Sequence, residues 1–107
     1  MIGKRVKYLF QTAALLSFSL FMVSACTSPE GNAADGKRWY TMHTCYACHG
    51  KNGNDGRGPN IANINMSYRS FVSRLRNAET AIMPEYSKEK ISDQDAADIL
   101  AFLKTVK

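Results

Sequence analysis

Five consecutive residues, Cys45-Tyr46-Ala47-Cys48-His49, constrain this chain more than any other feature in it. On a helix, positions i and i+3 share a face, so both sulfurs emerge together, and His49 follows at i+4 from Cys45. A thioredoxin-like redox pair would need a βαβ setting, and no stretch of the sequence shows β alternation. Zinc usually takes four ligands, and the one further candidate is His43, inside the same seven-residue segment. A disulfide across only two intervening residues would be strained. Haem attachment gives every residue of the motif a task. The two thiols add to the vinyl groups on one porphyrin edge, and the imidazole reaches the iron from the same side.

Size makes a cofactor necessary as well as possible. The chain has 107 residues, too few for a two-domain enzyme with a large cleft. Part of that length reads as targeting. Lys4, Arg5 and Lys7 precede an uncharged run of 18 residues, Tyr8 to Ala25, the pattern of an export signal. The run ends Val23-Ser24-Ala25-Cys26, which resembles the bacterial lipoprotein box, where the cysteine becomes the acylated first residue. Ordinary cleavage after Ala25, or retention of the run as an uncut anchor, also suits these residues. The expected organisation is a signal peptide over 1–25, a small polar lipid-anchored tether over 26–34 (CTSPEGNAA) and a folded domain over 35–107. A domain of that size rarely holds together on side chains alone.

The charge and cysteine count change meaning with that division. The formal charge of +5 includes three cations from residues 1–25, leaving 11 − 9 = +2 for residues 26–107. The basic balance therefore points to export and not to nucleic acid, and no nucleic-acid partner is expected. Three cysteines are odd under disulfide counting but fully used as one acyl anchor, Cys26, and two thioethers, Cys45 and Cys48.

The fold class expected is all-α. The spacing predicts a helix from about Asp35, as N-cap, through Cys48, with Trp39 and Tyr40 one turn before the cysteines. A second helix is expected over about Ser67 to Asn77, where Phe71, Val72 and Leu75 recur at helical spacing. Ser92-Asp93-Gln94-Asp95 resembles a capping box, opening a third helix with the apolar stripe Ile99, Phe102, Leu103 and Val106. Asp93, Asp95 and Asp98 would favour its positive end. Gly50 to Asn65, with four glycines and five asparagines, reads as loop. Arg69, Arg74 and Arg76 form either a solvated face or a contact to haem propionates or an acidic partner. Trp39 is expected to pack against the terminal helix.

For the second iron ligand the residues leave Met83 and Met66 open. Met42 and His43 lie on the attachment helix itself, on the wrong side of the porphyrin. Met66 opens a helix, whereas Met83 lies in an irregular segment before Pro84, which stiffens the chain.

Taken together, residues 35–107 resemble a small class I mono-haem cytochrome c. The features that carry the likeness are Gly36 and Tyr40, Cys45-x-x-Cys48-His49-Gly50, Gly58-Pro59-Asn60-Ile61, Met83-Pro84, and the terminal helix with Phe102. Tyr40 lies five residues before the first motif cysteine where many members have four, a difference expected to alter only local packing. The resemblance implies three to four helices wrapped around one covalently attached haem c, with His49 and Met83 as iron ligands. It also implies that the Pro59 carbonyl accepts the ring N–H of His49. His/Met ligation leaves no open iron position, so the expected role is a one-electron carrier and not an enzyme. Redox proteins would be its partners, at the extracytoplasmic side of a bacterial envelope membrane to which Cys26 ties it. Two alternatives are a dedicated haem subunit of a dehydrogenase or oxidase, and a haem enzyme or gas sensor with a displaceable sixth ligand.

Overall fold

The computed structural model describes residues 27–107. The signal peptide over 1–25 and the anchoring residue Cys26 lie outside the described residues. Among the described residues there are four helices and no strand: α1 Ala33–Met42, α2 Tyr46–His49, α3 Tyr68–Arg76 and α4 Asp93–Thr105. None is long and apolar enough to cross a membrane. This is the all-α cytochrome c architecture expected.

The frame is α1 packed on α4. The two meet at Gly36, which is buried. A side chain there would collide with the backbone carbonyl of Asp98. Glycine thus allows the helix axes to approach closely. On either side of this contact lie Tyr40 from α1 and Ile99, Phe102 and Leu103 from α4, all buried. The Tyr40 and Phe102 rings stack tilted, with centroids 5.4 Å apart, a favourable aromatic geometry. From α3, Phe71 and Leu75 join the same core, and Ile91 enters it fully buried from the segment before α4.

Two helix boundaries differ from expectation. α1 begins earlier, because Asn32 and not Asp35 caps it: the Asn32 side chain accepts from the amides of Ala34 and Asp35. The approach to the helix is already docked, since Gln94 Nε2 donates to Glu30 O at 2.7 Å and Asn32 N–H donates to Asp98 Oδ1 at 2.8 Å. Glu30 and Asn32 are thus hydrogen-bonded to α4, and the helix begins at Ala33.

α1 also stops early, at Met42, so residues 35–48 are not one helix. Thr44 adopts φ +57°, the left-handed region. Its N–H bonds to Thr41 O at 3.1 Å, and Cys45 N–H bonds back to Tyr40 O at 3.1 Å. This pair of bonds is the Schellman termination, which ordinarily uses glycine at the left-handed position. A β-branched residue there is strained. The chain turns at this point and begins a separate helical turn at Cys45.

The other two boundaries agree with expectation. Ser67 caps α3 through Ser70 N–H. At α4 the capping box is complete: Ser92 Oγ accepts from Asp95 N–H and Asp95 Oδ2 accepts from Ser92 N–H, both at 3.1 Å.

Candidate haem-attachment site

The Cys45–His49 turn stands on its own hydrogen bonds. His49 N–H donates to Cys45 O at 3.0 Å, and Gly50 N–H to Tyr46 O at 2.9 Å. Cys45 is half-buried and Cys48 exposed, and they do not form a disulfide with each other. Burial pushes the Cys45 thiol up to about 11, with its own backbone hydrogen bond opposing and Cys48 adding. It is therefore a neutral thiol at neutral pH. Among the described residues no group of three or more His, Cys, Asp or Glu could hold a metal ion.

His49 has one ring nitrogen committed. Its Nδ1 lies 2.8 Å from Pro59 O. A carbonyl can only accept, so Nδ1 carries a proton, and Nε2 is the nitrogen left to act as a ligand in the neutral ring. Such a bond fixes the ring's orientation and raises its basicity as a ligand. The loop that brings Pro59 to this point depends on glycine. Gly50 has φ +83°, and Gly58 passes so close that a Cβ would lie 2.9 Å from Cys48 O and 3.3 Å from His49 Nδ1. Gly58 N–H also bonds to Cys48 O. From the opposite direction, Tyr40 Oη donates to Gly50 O at 2.6 Å, within the buried interior. Burial, then Cys45 and Asp55, push the Tyr40 phenol up to about 12.

Several half-buried apolar side chains pack on the core without being closed over: Cys45, Ile61, Ile64, Met66, Val72, Met83 and Tyr86. Met66 and Met83 are both in this set. Met83 lies in the irregular segment between α3 and α4, with its N–H 3.4 Å from Thr80 Oγ1. The Tyr86 phenol is raised by burial and further by Cys45 and Cys48. Its hydroxyl is 3.5 Å from His43 O, and its ring meets the His43 ring edge-on at 6.1 Å. The donor set fits a c-type haem. It offers two thiols one helical turn apart, an imidazole with Nε2 as the free nitrogen, and incompletely covered apolar side chains for a porphyrin to bury.

Two residues have roles the sequence did not reveal. Asp98 is buried, at 5% exposure. Besides Asn32 N–H, it accepts from Trp39 Nε1 at 3.3 Å and Gln94 Nε2 at 3.1 Å. Its task is to join α1 and the approach segment to α4, beyond any favourable interaction with the helix end. Trp39 packs partly buried against the core and binds α4 through this bond. Arg76 is held by Tyr86 O and Asp93, so of the three arginines it is not part of a solvated face. Arg74 pairs with Glu79 at the surface, where both side chains are more than half exposed.

The family model described as cytochrome c oxidase, cbb3-type, subunit III matches residues 31–103. Searches of curated proteins and of solved structures gave no match. The matched stretch starts beside the docked Asn32 and runs through the Cys45–His49 turn, the Pro59 loop and α3 into α4. With its extent and the helical architecture in agreement, the chain belongs to this family, and its folded part is a mono-haem cytochrome c domain.

Proposed function

We propose that this domain is a one-electron carrier, with haem c bound covalently through Cys45 and Cys48 and its iron held by His49 and Met83. The observation that carries the reading is the His49–Pro59 bond directly after the two-thiol turn. It leaves one oriented imidazole nitrogen next to the two attachment sulfurs. When bound, the haem supplies a ferric/ferrous couple. The protein's part is to hold the imidazole, exclude water from the porphyrin face and set the potential through ligands and burial. Met83 is favoured over Met66 because Met66 adjoins the Ser67 cap of α3, whereas Met83 lies on a segment with no regular structure.

The proposed setting is the extracytoplasmic side of a bacterial membrane, after cleavage of residues 1–25 and acylation of Cys26. Its partners are redox proteins reached from that anchor. The family description favours a second form of the same reading, in which the domain serves one oxidase as a dedicated haem subunit.

The test is Met83→Ala in the haem-loaded protein. Covalent haem should remain, while the sulfur–iron absorption band disappears and the reduction potential falls. An unchanged band would move the ligand to Met66. Rapid, complete carbon monoxide binding by the unmutated ferrous protein would sink the simple carrier in favour of a displaceable ligand. Oxidase subunits that co-purify after gentle membrane extraction would favour the dedicated subunit. Release of a Cys26→Ser protein from the membrane would support the lipid anchor, and unchanged retention would favour an uncut one.

A further inference from the structure

The segment between α3 and α4 has no helix or strand to hold it, yet Met83 lies within it. Among the described residues Arg76, the last residue of α3, is the one arginine that ties this segment to both flanking helices. That side chain is only 19% exposed, against 52% for Arg74 two residues earlier. Arg76 Nη1 donates to Tyr86 O at 3.0 Å, and Nη2 donates to Asp93 Oδ1 at 3.0 Å. Tyr86 N–H donates to Leu75 O at 2.8 Å. Both sides of Tyr86 are thus tied to the end of α3, three residues after Met83. Asp93 is held in turn by Lys88 Nζ at 3.1 Å, and its backbone carbonyl accepts from Tyr68 Oη at 3.2 Å. One guanidinium therefore closes the segment onto α3 and onto the first residue of α4 together.

Segments fastened at few points open locally without global unfolding, and their opening is governed by those points. Charge-assisted bonds from a planar, forked donor are the strongest of this kind, and lysine, a compact point charge on a flexible stem, lacks that fork. We propose that Arg76 is the positioning residue for Met83, setting how readily its thioether leaves the iron. The inference rests on the reading of Met83 as ligand.

The experiment uses the haem-loaded protein and its Arg76→Lys, Asp93→Asn and Met83→Ala variants. Two quantities are read: the rate of carbon monoxide binding to the ferrous form, and the denaturant midpoint of the sulfur–iron band beside that of the far-ultraviolet helix signal. In Arg76→Lys we expect carbon monoxide to bind at least tenfold faster, and the band to be lost at lower denaturant than the helices. Asp93→Asn should move both readings the same way by less, and it carries the test if Arg76→Lys fails to fold. If the variants bind carbon monoxide at the unmutated rate and lose the band in step with the helices, Arg76 is merely structural and the proposal is overturned while Met83 stands. If the band survives in Met83→Ala, the ligand reading itself fails, and the proposal with it.

Discussion

Trp39 donates its indole N–H to Oδ2 of Asp98, 3.3 Å away and 59 residues further along the chain. The other oxygen of the same carboxylate accepts from Asn32 N–H and from Gln94. Removing the carboxylate takes the shared acceptor from three part-buried donors, Asn32 N–H, Trp39 Nε1 and Gln94 Nε2. Asp98→Ala is expected to cost about 2–4 kcal/mol, and Asp98→Asn, which keeps one acceptor oxygen and the volume, about half of that. Thermal unfolding followed by circular dichroism checks both. An Asp98→Asn protein as stable as the unmutated one would show that the second oxygen contributes nothing.

Gly36 should not tolerate even the smallest side chain. Alanine in place of glycine inside a helix ordinarily stabilises by about 1 kcal/mol. At this position the added carbon collides with the Asp98 carbonyl, which belongs to a helix backbone and cannot turn aside. Separating α1 from α4 costs about 1–3 kcal/mol in lost packing, so Gly36→Ala is expected to be destabilising overall. A gain in denaturant midpoint would mean the helices can part without loss.

Thr44 offers the opposite result. A left-handed conformation costs a residue with a Cβ about 1–2 kcal/mol, and glycine's greater unfolded freedom costs about 0.5–1 kcal/mol in return. The side-chain hydroxyl bonds only to the carbonyl of its neighbour His43, at the surface. Thr44→Gly should therefore stabilise the protein, by about 0.5–1 kcal/mol. Chemical denaturation would reveal the gain as a higher midpoint with an unchanged slope.

The Tyr40 phenol gives a pH signature. Folded, it titrates at about 12, raised first by burial; unfolded, it titrates near 10.0. The folded state therefore keeps a proton that the unfolded chain has lost between those values. This group's contribution is complete below pH 10 and is lost as pH rises through about 12. In a series of urea titrations, the stability difference between the unmutated protein and Tyr40→Phe should shrink across that window. A constant difference would mean that the phenol titrates alike in the folded and unfolded states.

What the sequence revealed depended on the distance between partners. The capping box at Ser92 and Asp95 closes within four residues, and the Ser67 cap of α3 is equally local, so both ends were readable. The break after Met42 was not. Nothing in threonine's own preference favours a left-handed turn; the packing around Tyr40 and the Cys45 turn imposes it. Asp98 looked like one more acid near a helix start, and Arg76 like one more surface arginine. Their partners lie up to 66 and 17 residues away, and no local pattern encodes them. At the candidate site, the Cys45–His49 motif is five consecutive residues, so its spacing can be read directly from the sequence. The meeting of Pro59 with His49 came from family likeness, since a turn of glycines does not by itself say where its carbonyls will point.

The pairing of α1 with α4 has a consequence for how such a chain can vary. The helices that make the frame come from the two ends of the folded unit, so everything from Thr44 to Ile91 lies inside one closed loop. Loop-closure entropy grows only with the logarithm of length, and doubling a loop costs about 0.6 kcal/mol. A single hydrogen bond to a buried carboxylate such as Asp98 is worth more, about 1.5–3 kcal/mol. The stretches between Thr44 and Ile91, which carry the candidate site, can thus lengthen or shorten while the frame persists, and the properties of that site can drift without refolding the molecule.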